Sequence, residues 1–430
     1  MSQKYITVNI PASGRSYSLR IPDNGRVTIA HAPQFRDLPD PHVLIRDALD
    51  HPIGSPRIEQ MVRPGNRVCI ISDDITRPTP VYLVLEELLP RLLEAGIHKE
   101  DIFFVMALGS HRQMTREEMA AKLGEKVVNE YQVLNSEFRD PEMLVTVGTS
   151  QMGTPIRVFK PAMEADFRIA IGNIIPHGCM GWSGGAKILY PGITSEDIVS
   201  EFHVMQGFQD GIVYGMDDCP VRLAVEEWTK NIGLHFIINT SLTGEFQIYK
   251  VVAGDYIKAH RAGVENSKKS LGVPIRRRPD IVVTSSYPTD QDMWQCTKGV
   301  YGGGRVISDG GSMIILAPCV EGIGPHKDFP KHLGFKNGIP KLKARIEAGE
   351  TGEELLSMAV GISIAKIHSY CTVHWLTNGC TEEEVSPSGF QWQREESIQD
   401  VFDEVYAQYV DPEVLVIPIG GEMLPYFDFE

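Results

Sequence analysis

Residues 67–96, RVCIISDDITRPTPVYLVLEELLPRLLEAG, set the pattern for the whole chain. Arg67-Val-Cys-Ile-Ile71 is a short apolar run suited to a strand buried on both faces. The polar loop SDDITRPTP follows. A helix is then expected from Thr79 to about Glu94, with Pro78 and Pro80 at its entrance and Gly96 at its exit. The same unit recurs. Ile102 to Leu108 reads as a second buried strand whose loop carries Gly109-Ser-His111, and Thr115 with Glu118 forms a capping box for a helix ending at Gly124. Phe167 to Ile171 is a third strand, running into GNIIPHGCMGWSGGAK. Thr194 is placed to cap a further helix with Ile198, Phe202 and Met205 on its apolar side and His203 displaced from it.

Before this region, residues 1–22 read as a hairpin, with alternation over Tyr5 to Ile10 and Tyr17 to Ile21 about a turn at Ser13-Gly14. After the basic stretch Pro274 to Pro279, strands are expected at Ile281 to Thr284, Met313 to Ala317 and Val414 to Ile419, the last behind a helix from Ser397 to Val410. Buried strands alternating with helices predict an α/β fold with mainly parallel sheets. A length of 430 residues exceeds what one core supports, roughly 250–300 residues. Two domains are therefore expected, residues 1–270 and 271–430, with the active site in the cleft between them.

Composition narrows the class. With 42% hydrophobic and 23% charged residues the chain resembles an ordinary globular protein and not a disordered or fibrous one. No apolar run approaches the roughly 20 residues of a membrane helix. The start, MSQKYITVNI, alternates like a strand, so neither a membrane anchor nor a signal peptide is expected. Seven scattered cysteines without a CxxC pair argue for a reducing compartment, read as the cytoplasm. A formal charge of −15 disfavours nucleic acid as a partner, so an anionic substrate must be met by local Arg and Lys.

Ligands in parallel sheets sit beyond the carboxyl ends of the strands. Asp74 and Arg77, His111, His177, and Gln295 with Lys298 all follow strands in this way. If they converge, one cleft holds two proton carriers and two cations, suited to moving a proton on a small carboxylate. Each has a plainer reading: a satisfied strand-end histidine, or a helix-entry salt bridge at Asp74-Ile-Thr-Arg77. Gly181-Trp-Ser-Gly-Gly-Ala-Lys187 is the sharpest feature. Ser183, Gly184 and Gly185 allow close backbone approach to a ligand, and Lys187 supplies a charge or an amine nucleophile. It differs from a nucleoside-triphosphate loop, since Ala186 replaces a glycine and Ile188 the magnesium-binding hydroxyl. His203 could ligate a metal, but no second histidine lies at i+3 or i+4.

In this order, DDITRP, ALGSHRQMT, PHGCMGWSGGAKILYPGI, His203, QCTK and EGIG resemble the lactate racemase family, the nickel pincer nucleotide enzymes, from about residue 60 to the closing PIGGEMLP. The resemblance implies a racemase or epimerase of a 2-hydroxy acid. It implies a pyridinium mononucleotide with two sulfur arms, tethered at Lys187, whose Ni(II) is ligated by His203. His111 and His177 would be the paired acid/base residues. Arg77, Gln295 and Lys298 would hold the substrate, with Asp74 orienting its neighbours. Residues 1–270 would carry the cofactor motif and residues 271–430 would close over the substrate. Hydride would pass to the cofactor and back through a planar 2-oxo acid. Enzymes that make and load the cofactor are implied as partners, and a homo-oligomer is left open. Trp294 stands where lactate-acting members usually have tyrosine, and Gly361-Ile-Ser-Ile lies where a tryptophan is expected. The pocket is thus remodelled, leaving the substrate open between lactate and a longer or more polar acid such as a sugar acid or malate. Two alternatives remain: a dehydratase or dehydrogenase using the same histidines, and a non-catalytic nucleotide-binding protein.

Overall fold

The protein was analysed as a computed structural model that describes residues 4–335, 337–350 and 353–427. The opening stretch folds into the strand Val68–Asp73, buried along its whole length, and the helix Val81–Glu94. That strand is central in a six-stranded sheet ordered Ile248–Gly254, Phe236–Leu242, Phe167–Asn173, Val68–Asp73, Ile102–Ala107, Gln132–Asn135. Every pairing is parallel except that of the edge strand Ile248–Gly254. A second sheet, ordered Gln391–Gln393, Cys371–Leu376, Gly311–Leu316, Ile281–Ser285, Val414–Ile417, Val27–Ile29, is parallel throughout. The apolar runs at 67, 102, 167, 281, 313 and 414 are the strands because parallel sheets are covered on both faces.

Both sheets reverse their winding. In the first, the chain steps outward from Val68–Asp73 through two strands and returns on the other side with Phe167–Asn173. In the second it steps outward from Ile281–Ser285 through three strands and returns with Val414–Ile417. Each reversal opens a crevice at the carboxyl ends of the two strands involved. The loops leaving all four of those strands line one cavity between the lobes. Topology thus places the site.

The hairpin forms as expected from Tyr5–Ala12 and Arg15–Pro22. Its inward residues Val8, Ile10, Leu19 and Ile21 share a core with Ile281, Val283 and Ile314, and Val27–Ile29 is the edge strand of the second sheet. Residues 5–29 therefore pack with the second sheet and not with the first, where their place in the sequence had put them. The reason is the alternating apolar face of the hairpin, which covers that sheet. The helix Glu196–Phe208 is also capped differently from the expectation: Ser195 is its N-cap, while the Thr194 hydroxyl donates to the Pro191 carbonyl at 3.1 Å. This helix packs on Glu353–His368 from the second lobe, whose Lys366 donates to the carbonyls of Gly207 and Gln209 at 2.9 and 2.6 Å. Among the described residues no helix is long and apolar enough to cross a membrane.

Candidate active site

Asp74 is buried in the loop after the central strand and accepts hydrogen bonds from Thr76 through Oγ1 at 2.6 Å and N at 3.0 Å. Its other oxygen bonds His111 Nδ1. Burial pushes this carboxyl up, but the charge and hydrogen bond of His111 more than offset that and hold it below the usual carboxylate range. An ionised carboxylate only accepts, so Nδ1 carries a hydrogen in either state of the ring, and in the neutral imidazole Nε2 is the bare nitrogen. Gln295 agrees with this arrangement: its amide nitrogen lies 3.0 Å from His111 Nε2, while its carbonyl oxygen accepts from Lys298 Nζ. Asp292 caps the short helix Met293–Cys296, accepting from the Gln295 amide at 2.7 Å, and so sets Gln295 in place.

Arg77 is held from behind. Lys122, almost wholly buried, pairs with Asp73 Oδ1 at 2.7 Å and donates to the Arg77 carbonyl at 2.6 Å. The guanidinium faces the cavity with a buried Nη1 that has no hydrogen-bond partner among the described residues. A buried, unsatisfied cationic donor is costly unless an anion completes it. Burial, then neighbouring Arg77, pushes the Lys298 ammonium well below its usual value.

His177 sits on a tight turn after Phe167–Asn173. Its Nδ1 accepts from the Cys179 backbone N–H at 3.1 Å, so its hydrogen resides on Nε2. Burial, reinforced by Lys187, keeps this imidazole neutral by pushing its pKa well down. Gly178 is required here by close approach, because a Cβ would lie 2.4 Å from the Tyr301 ring. The two histidines thus present opposite faces to the cavity: a bare nitrogen at residue 111 and an N–H at residue 177.

The glycine-rich loop is braced internally. Ser183 Oγ donates to Asn173 O at 2.8 Å and accepts from Ile175 N at 2.9 Å, and the Gly185 amide donates to Asn239 Oδ1 at 2.8 Å. Fully buried Arg222 donates to the carbonyls of Trp182 and Gly184. Ser183, Gly184 and Lys187 line the cavity; Gly185 lies behind it against His260. The Ser183 hydroxyl and the Gly185 amide therefore hold the loop, and Lys187 is what the loop presents. Burial, then neighbouring Arg77, lowers the Lys187 amine to about 8, within reach of a free nucleophile near neutral pH.

His203, on the helix Glu196–Phe208, also lines the cavity and is lowered to about 4, chiefly by burial. A neutral imidazole is the form that binds a metal. Among the described residues no group of three or more His, Cys, Asp or Glu side chains could hold a metal ion. Metal at His203 would need its other donors from a bound organic group, which fits the lowered amine of Lys187 and the neutral imidazole of His203 lining the same cavity. Trp294 walls the cavity, its ring 6.0 Å from His203, 4.2 Å from His326 and 4.8 Å from Phe329 between centroids.

The structure thus brings together Asp74, Arg77, His111, His177, Ser183, Gly184, Lys187, His203, Trp294 and Lys298 around one cavity, with Gln295 bonded to two of them. Sequence reasoning missed Gln206, Tyr301 and Glu422. Gln206 and Tyr301 each stand three residues after a residue that had been singled out, His203 and Lys298, which was the available signal. Glu422 follows the strand Val414–Ile417, next to the cavity-lining Gly421 and within electrostatic reach of Arg77 and Lys298.

A two-lobed, mainly parallel α/β fold thus encloses two histidines, a guanidinium with an unsatisfied nitrogen and a lysine amine around one cavity, the arrangement of an enzyme site. Comparison with known proteins narrows the class. Profiles of the lactate racemase N-terminal and C-terminal domains match residues 13–212 and 275–423. A lactate racemase of Thermoanaerobacterium thermosaccharolyticum is 33% identical over 288 residues, spanning 65% of this chain and 66%, just under two thirds, of that protein. One of Lactiplantibacillus plantarum is 28% identical over 325 residues, 74% of this chain and 76% of the other. The solved lactate racemase apoprotein from T. thermosaccharolyticum superposes with a TM-score of 0.84 at 26% identity, covering 98% of this chain and 100% of that one. A Thermotoga maritima protein of 24% identity shares the fold, with a TM-score of 0.71 over 92% of this chain and 100% of its own. The chain belongs to the lactate racemase family, a family of isomerases.

Proposed function

We propose that this protein is a racemase or epimerase inverting the hydroxyl-bearing C2 of a 2-hydroxy acid, with a nickel pincer nucleotide tethered at Lys187 and ligated through nickel by His203. The observation that carries the reading is the opposed state of the two histidines, one Nε2 bare and the other protonated, beside a guanidinium awaiting an anion. When bound, the cofactor supplies reversible acceptance of hydride from C2. Arg77 and Lys298 hold the carboxylate, with Gln295 fixed between Lys298 and His111. His111 Nε2 takes the hydroxyl proton, and the Asp74 carboxylate stabilises the imidazolium that results. His177, neutral with its hydrogen on Nε2, donates a hydrogen bond to the substrate oxygen from its own side, and gives that proton up only once Nδ1 has taken another. The opposite enantiomer exchanges these roles; for His177 to accept a proton at Nε2, its Nδ1 must carry the hydrogen and the Cys179 amide must let go.

Two observations bear on substrate and compartment. A second cavity adjoins the first at Leu108, Ser110 and His111 and carries Arg112, Arg139, Glu137 and Asp140 beside Phe138 and Pro325. That space leaves room for a hydroxy acid longer than lactate. All seven cysteines are free thiols, which supports a reducing cytoplasm. The reading makes cofactor-making and nickel-inserting enzymes obligatory partners, and involves neither nucleic acid nor membrane.

Protein coexpressed with those enzymes is expected to show a mass adduct at Lys187 and to equilibrate enantiopure 2-hydroxy acids, followed by chiral chromatography across increasing chain length. An unchanged mass under conditions that load a known family member would remove the proposal. Net release of a 2-oxo acid would favour a dehydrogenase.

A further inference from the structure

His203 and Gln206 are one turn apart on the helix Glu196–Phe208, and His203 Nδ1 lies 3.1 Å from Gln206 Oε1. The Gln206 amide nitrogen is 2.9 Å from the Tyr301 hydroxyl oxygen and 3.1 Å from Ser363 Oγ. Both partners belong to the second lobe, on the helices Lys298–Val306 and Glu353–His368. Tyr301 is itself buried, with its ring against Gly178. With its NH2 engaged by two hydroxyl oxygens, the amide turns its carbonyl to the imidazole. A carbonyl oxygen only accepts, so Nδ1 carries the hydrogen and Nε2 keeps its lone pair.

We propose that Gln206, anchored by Tyr301 and Ser363 from the opposite lobe, is a positioning residue that fixes the Nε2-ligating tautomer of His203 and so sets how firmly the protein keeps its metal. The inference rests on the reading of His203 as the nickel ligand. An imidazole in the other tautomer must shift a proton before it can ligate at Nε2, and loss of such an outer hydrogen bond typically weakens metal binding by about 10–100-fold. The anchors also give the network a direction. Lys187 and His203 follow strands of the first lobe, whereas the groups that orient Gln206 come from the second, so parting the lobes would loosen the ligand's orientation and leave the tether untouched.

The test uses holoprotein made with the maturation enzymes, in parent form and as His203→Ala, Gln206→Leu and Gln206→Glu. Nickel loss to excess chelator is followed by elemental analysis, beside the intact mass of the Lys187 adduct and a thermal melt. Gln206→Leu is expected to keep the adduct and the parent melting profile while shedding nickel about 10–100-fold faster. Gln206→Glu, whose carboxylate accepts the same Nδ1–H, is expected to bring the rate back to within a few-fold of the parent. Parent-like retention in Gln206→Leu, or equal losses in Gln206→Leu and Gln206→Glu, overturns the inference while nickel loss in His203→Ala leaves the ligand reading standing. Nickel retained in His203→Ala overturns the ligand reading itself. If Gln206→Leu does not fold, Tyr301→Phe with Ser363→Ala removes the anchors instead; faster nickel loss supports the inference and an unchanged rate overturns it.

Discussion

Asp74 shows most sharply how one side chain decides the chemistry of another. Its ionised carboxylate places a hydrogen of His111 on Nδ1 and, in the neutral ring, leaves Nε2 bare, the state the proposed base requires. Asparagine at this position matches its shape, but its NH2 can donate to Nδ1 and send the hydrogen to Nε2, where it blocks proton abstraction. Asp74→Asn is therefore expected to lower kcat/KM in both directions by about 10²–10⁴-fold, with the Lys187 adduct and nickel content unchanged. Chiral chromatography of loaded protein measures it; a loss confined to KM would reassign Asp74 to substrate binding. That Asp74, Arg77, His111, His177, Lys187 and His203 are candidates for one site was legible in the sequence, from strand ends and the glycine-rich motif, and all of them line the cavity. Their protonation states were not legible. These depend on Gln295, 184 residues from His111, and on a backbone amide that any residue but proline at position 179 would supply.

At the level of elements, six of the twelve strands in the two six-stranded sheets were legible as apolar runs, and the capping box at Thr115 and Glu118 formed as read. The strand Phe236–Leu242 was missed although wholly buried, because its central Asn239, Thr240 and Ser241 break the apolar run. Two of these polar residues satisfy the glycine loop and its neighbours: Asn239 accepts from Gly185, and Ser241 accepts from Ser267. The helix Glu353–His368 was missed because it is apolar around most of its circumference, being packed between lobes, and shows no amphipathic period. The turn carrying His177 yields a sharper expectation. Its Gly178 lies so close to Tyr301 that a methyl group would sit 2.4 Å from the ring, and that ring is fully enclosed. Gly178→Ala is expected to displace the His177 turn, lowering stability by about 1–3 kcal/mol and stereochemical exchange by more than that destabilisation explains. Chemical denaturation beside activity separates the two effects; a variant of parent activity would show that the turn tolerates the shift.

For the molecule as a whole, bringing two sheets' carboxyl ends together concentrates charge, and Glu422 records the consequence for stability. Its carboxyl is buried after the strand Val414–Ile417, and neither oxygen has a hydrogen-bond partner among the described residues. Burial raises it to about 7, with Arg77 and Lys298 pulling partly the other way. An unfolded glutamate titrates near 4.3, so between that value and about 7 the folded chain binds more protons than the unfolded one. Stability from this group is therefore complete below about pH 4 and lost as pH rises through 7, at roughly 1.4 kcal/mol for each pH unit in between. His203, lowered to about 4 by burial, works in the opposite sense, adding stability as pH rises toward the unfolded histidine value. Comparing a variant with its parent cancels that term. Glu422→Gln keeps the size of the side chain and removes its titration, so the variant's stability relative to the parent is expected to rise from pH 5 to pH 8. Urea denaturation of cofactor-free protein at both pH values measures this. A pH-independent difference would mean that Glu422 keeps one protonation state throughout, and that Arg77 and Lys298 hold it ionised even without a substrate anion.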